Sequence, residues 1–154
     1  MLDTVLAALE ASGIATHLRF SRWTYPAVNA GHVLGLALLV GAVVPLDLKL
    51  LGLWPAVARR DVERLLAPVA AVGLATAIVT GLLLFSVQAR DYASLGLFQA
   101  KMALVVLGAA NALAALALRR RGGGRPGLEK LLAAVSLLCW PTALAAGRFI
   151  GYVI

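Results

Sequence analysis

The chain has 154 residues, of which 62% are hydrophobic and 14% charged, and a formal net charge of +7; its mean hydropathy is +0.92. A soluble domain runs about 45–50% apolar and about 25% charged, and one this small has too little interior for so much apolar surface, so lipid is the expected solvent. The single cysteine excludes an internal disulfide framework, a CxxCH haem attachment and a four-cysteine metal site.

The first residues, MLDTVLAALEASG, place Asp3 where the basic region of a signal peptide would stand. Val5, Leu6, Leu9 and Ile14 recur at helical spacing among polar neighbours, which predicts a short amphipathic helix lying in the membrane interface and ending at Ser12-Gly13. Trp23 and Tyr25 follow, at the depth where amphipathic rings favour head groups, and Pro26 suits a first helical turn. Residues 26–46, 65–89, 102–118 and 131–147 are uncharged. A core about 30 Å thick needs roughly 17–25 such residues. Lys101 and Arg148 extend the last two runs if their heads reach the interface. The chain therefore reads as all-α, a four-transmembrane-helix bundle with spans at roughly 26–47, 66–88, 98–118 and 130–150. GGG at 122–124 reads as a flexible turn, and 1–154 as one integral membrane domain.

Nine of the fourteen basic residues fall in two loops, 47–64 and 119–130. The positive-inside rule puts those loops in the cytoplasm and both termini outside. Topology and anionic lipid account for the basic charge, so no nucleic-acid partner is expected.

Gly31 and Gly35, then Gly73, Ala77 and Gly81, then Gly108 and Ala112 place small residues four apart within three spans. Such faces let helix backbones approach closely, within one subunit or between copies of a homo-oligomer. Asn111 reads as an interhelical hydrogen bonder, Cys139 as an inert small hydrophobe, and Pro141 as a kink. Asp47, just past the first apolar run, is expected to pair with a basic residue of 59–64 or of the other cytoplasmic loop.

The remaining polar groups gather at the outer side. His32 lies six residues into the first span, about 9 Å below its end. Tyr25, Asn29 and His32 share a face. Alternating helix direction brings His32, Lys101, Arg148 and Tyr25 to similar depth, and Trp140 lies on the Arg148 face of the last span. Arg148 and Lys101 each suit snorkelling, and His32 suits an interhelical hydrogen bond. A polar side chain inside a span is equally a functional-site candidate, and a neutral imidazole can bind a transition metal.

These residues carry a resemblance. The segments SRWTYPAVNAGHVLGLALLVGAVVPLDLKLLGL at 21–53, TGLLLF at 80–85, FQAKMAL at 98–104, Asn111 and AGRFIGY at 146–152 resemble an uncharacterised bacterial family of small four-span integral membrane proteins. That implies a bacterial inner membrane location. Asn29 stands where members of that family often carry Glu, so a proton relay there is not expected. More remotely, His32, Pro68, Thr80-Gly81 and Lys101 are similar to the pattern of HemJ-type protoporphyrinogen oxidase and of the copper-resistance D membrane proteins. The HemJ likeness implies a haem b site, with functionally important His and Lys. The leading reading is then a membrane protein with haem b near the outer leaflet, possibly redox-active and served by a redox partner. His32 would be the axial metal ligand, Lys101 and Arg148 the propionate partners, and Tyr25 and Trp140 the border of the ring. The alternatives are a non-enzymatic membrane subunit or scaffold whose polar residues are structural, and a protein binding a lipid, quinone or small anion. Transport is disfavoured by four short spans without broken-helix repeats.

Overall fold

The computed structural model describes residues 1–120, 122 and 125–153. Its elements are α1 (Leu2–Glu10), α2 (Gly13–Phe20), α3 (Thr24–Leu51), α4 (Arg59–Val87), α5 (Ala89–Ser94), α6 (Gly96–Arg120) and α7 (Pro126–Ile150). The chain is an all-α bundle with four long apolar helices, α3, α4, α6 and α7, of 28, 29, 25 and 25 residues. At 1.5 Å per residue they run about 38–44 Å, so each outreaches the hydrocarbon core and ends among head groups. Their flanks expose large apolar side chains, such as Leu34, Leu82, Val106, Leu113 and Leu138. That surface is unfavourable in water and ordinary in lipid.

Backbone packing runs in the order α4, α3, α7, α6; α4 and α6 make no close backbone approach to each other. The α3–α4 seam is the tightest. A Cβ on Gly35 would stand 2.8 Å from the Ala77 nitrogen, and one on Gly73 would stand 2.5 Å from the Leu39 nitrogen. Here the small residues serve contacts inside one subunit. On the other pair, Gly108 of α6 makes room for the Trp140 indole of α7, whose Cε2 would lie 3.0 Å from an added Cβ.

Helix ends follow local chemistry. At the end of α3, Gly52 takes φ +113°, and the Leu53 and Gly52 amides bond the Leu48 and Lys49 carbonyls. This is the left-handed cap that glycine tolerates best. The expected short N-terminal helix is present as α1 and ends just before Ser12, and a second short helix, α2, follows it, which the sequence reading did not foresee. Ser12 caps α2, its Oγ accepting from the Ala15 amide at 3.3 Å. Leu2, Val5, Leu9 and Ile14 remain exposed. Of the expected turn at 122–124, Gly122 has φ +92°, and Gly123 and Gly124 lie outside the described residues.

The short α5 had no periodic signal in the sequence, being six residues long. It closes the end of the bundle where α4 finishes and α6 begins. Phe85, Tyr92 and Phe98 cluster there, with Phe85 and Phe98 stacked at 5.4 Å. The Arg90 amide and guanidinium bond the Glu10 carboxylate at 2.9 and 3.0 Å, tying α1 to α5. Arg19 of α2 donates to the Val87 carbonyl, satisfying an orphan acceptor at the end of α4.

Candidate functional site

The alternating helices bring His32, Thr80, Gly81, Lys101 and Gly147 to the α5 end. His32 Nδ1 lies 3.0 Å from Thr80 Oγ1, across the α3–α4 seam. Its Cε1 would stand 3.1 Å from a Cβ on Gly81, so that glycine makes the space the ring occupies. The Thr80 hydroxyl donates its one proton to the Thr76 carbonyl at 2.6 Å. Toward His32 it must therefore accept, which assigns the neutral ring a proton on Nδ1 and a lone pair on Nε2. Lys101 of α6 reaches α7, where its Nζ would lie 3.2 Å from a Cβ on Gly147.

The other residues nominated for this cluster do not join it. Trp140 is buried against Gly108 in the α6–α7 seam. Arg148 is exposed, lies over the Tyr152 ring and donates to its hydroxyl at 3.0 Å. Tyr25 is 37% exposed.

The haem b assignment is therefore corrected. Among the described residues, no three His, Cys, Asp or Glu side chains come together to hold a metal ion. The residues do not fit the group in other respects either. The His32 ring is wedged between two helices, and its expected propionate and ring partners, Arg148, Trp140 and Tyr25, point into different surroundings. The redox reading that depended on haem falls with it.

A second polar cluster occupies the opposite end. Arg59 of α4 bonds Glu63 at 2.6 Å and Glu129 of α7 at 2.5 Å, and Arg119 of α6 lies 3.8 Å from Glu63. These four residues tie three helices together. Arg59, Glu129, Arg119, Leu132 and Ala133 border a small cavity there. Asn111 donates to the Leu132 carbonyl at 2.9 Å, an α6–α7 bond of the expected kind. Asp47 is different: it is 4% exposed, stands beside Ser136, and its Oδ2 has no partner. The expected ion pair to a basic residue is absent among the described residues. Arg119, a basic residue at the same end, is within ion-pair distance of Glu63.

Sequence reasoning missed the Arg59–Glu129 link, because its partners are 70 residues apart and nothing local connects them. Thr80 carried a weak signal as a hydroxyl inside a span, where bonding back to the preceding turn is the usual outcome. No family model, curated protein or solved structure matches this chain.

Proposed function

We infer that this chain is a non-enzymatic, multi-pass subunit or scaffold of the bacterial inner membrane, in which intramembrane polar side chains hold the helices in register. One observation carries the reading. Two polar side chains inside the spans bond from one helix to another, His32 to Thr80 across α3–α4 and Asn111 to the Leu132 carbonyl across α6–α7. In lipid, apolar side chains gain little by meeting each other, so such bonds and close packing supply the association. The four-span likeness of segments 21–53 and 146–152 supports the location, and the bias of basic residues supports outside termini.

The test is thermal unfolding in detergent. Thr80→Val and Asn111→Leu keep volume and remove a bond. Each is expected to cost about 0.5–1.5 kcal/mol, the range measured for interhelical hydrogen bonds in membranes. Variants that melt with the parent protein would refute the structural role. A reporter placed in the 119–130 loop should read cytoplasmic, and one at the C terminus should read outside; the opposite result inverts the topology.

A further inference from the structure

Asp47 is the carboxyl that the helix contacts leave without a counter-charge. It lies on α3, 4% exposed, beside the buried Ser136 of α7. Leu50, one turn further along α3, and Ala133, one turn back along α7 from Ser136, border the same small cavity, so the two helix faces meet here. Asp47 Oδ2 is sealed from solvent and has no hydrogen-bond partner. The half-buried charged side chains at this end are already engaged. Arg59 of α4 holds Glu63 and Glu129, Arg119 of α6 lies within ion-pair distance of Glu63, and Lys49 of α3 itself donates to the Trp54 carbonyl at 2.7 Å. Arg60, Asp61, Arg64, Arg120 and Lys130 are exposed.

Two arginines and two glutamates form a neutral set. An ionised Asp47 would add one negative charge, sealed from water and in no ion pair among the described residues. A buried charge in that position is costly enough that the group takes up a cation. Among the described residues no three His, Cys, Asp or Glu side chains gather to hold a metal ion, whereas a proton needs only the orphan oxygen. The position gives that proton leverage. In the order α4, α3, α7, α6, the α3–α7 seam joins the α3–α4 pair to the α6–α7 pair. We propose that Asp47 is a proton-binding site in this seam, and that its occupancy controls how closely the two helix pairs join at the Arg59 end. With the proton bound, the seam is neutral and closed. Release breaks the Oδ2–H bond, passes the proton to water and leaves a lone carboxylate, which is stabilised only if α3 and α7 part enough to admit water there. The Arg59–Glu129 and Arg119–Glu63 contacts cross between the same pairs and limit that parting to a local loosening.

The experiment is carbon NMR of the full chain in detergent, labelled at the aspartate carboxyls. The chain has four aspartates, and Asp3, Asp61 and Asp91 are exposed. At neutral pH three signals should be those of carboxylates and one that of a protonated acid, and Asp47→Asn should remove the protonated one. Raising the pH should convert that signal to a carboxylate. Over the same range, amide exchange at 44–50 and 133–139 should rise by roughly tenfold or more relative to Asp47→Asn at equal pH, the scale expected for a buried charge without a partner. Amides at the other end, around His32, should keep pace in the two proteins. Four carboxylate signals at neutral pH, a protonated signal that survives Asp47→Asn, or exchange that matches Asp47→Asn after the signal has converted would each overturn the proposal. If Asp47→Asn does not give monodisperse protein, the parent chain decides alone: one protonated aspartate signal must be present, and as it converts, exchange at 44–50 must rise beyond that around His32. The proposal goes beyond the scaffold reading, which stands or falls separately on the melting of Thr80→Val and Asn111→Leu.

Discussion

Replacing Gly73 by alanine tests the packing at its tightest point. The added Cβ would stand 2.5 Å from the Leu39 nitrogen and 2.8 Å from the Gly35 carbonyl oxygen. Both are rigid backbone atoms inside a helix, so no side chain can turn aside. Restoring ordinary contact at about 3.4 Å requires α4 to back away by about 1 Å, and a gap of that size forfeits a quarter to a half of each dispersion contact. Overpacking of this kind costs about 1–3 kcal/mol. Alanine also favours the helix over glycine by about 0.5–1 kcal/mol, and this gain must be separated out. Gly41→Ala does so. It lies inside α3, the helix α4 packs against, with nothing within 4 Å of its added Cβ. The propensity gain is common to both variants, so Gly73→Ala should be less stable than Gly41→Ala by about 1–3 kcal/mol. At about 2–4 °C per kcal/mol for a chain of this size, that is several degrees in Tm. Thermal unfolding of both variants in the same detergent measures it. If Gly73→Ala melts at or above Gly41→Ala, the α3–α4 backbone contact does not hold the bundle together.

Three further outcomes follow from other parts of the fold. Bonding to the Arg90 amide, aided by the Arg90 side chain and charge, holds the Glu10 carboxyl below its ordinary value of 4.5. Its contribution to docking α1 is therefore present in full above that unfolded value and fades as pH falls through the lower folded one; hydrogen exchange of α1 amides should show this loss in acid, and Glu10→Gln should show it at all pH. Gly52→Ala places a side chain at φ +113° and should cost about 1 kcal/mol in the same unfolding assay, whereas an unchanged midpoint would dismiss the cap. Arg59 is 40% exposed, so Glu129→Gln should cost less than about 1 kcal/mol, and that cost should shrink further in high salt.

How much of this was legible in the residues depends on distance along the chain. The four spans and the glycine faces were readable because lipid imposes local conditions. A segment crossing it must satisfy its own backbone and carry an apolar run of about twenty residues, and both are properties of consecutive residues. The short N-terminal helix and its end at Ser12-Gly13 were readable in periodicity and turn residues, although the second short helix, α2, was not. That Asn111 would bond another helix followed from polarity alone, because an amide in lipid has few other partners. What tertiary structure alone decided is pairing. No local rule says that α3 lies between α4 and α7, that Arg59 finds Glu129, or that Asp47 is left without its expected cation. The same holds for the nominated haem residues. Depth placed His32, Lys101, Arg148 and Tyr25 at one end, with Trp140 on the Arg148 face, but depth is a coordinate along the helix axis. Direction around the axis sent Trp140 into the α6–α7 seam and Arg148 outward, and set His32 against α4 and Lys101 against α7. Composition and hydropathy settle where each residue lies across the membrane; the rotation and neighbours of each helix, which turn depth into a site, come from backbone contacts between residues far apart in the chain.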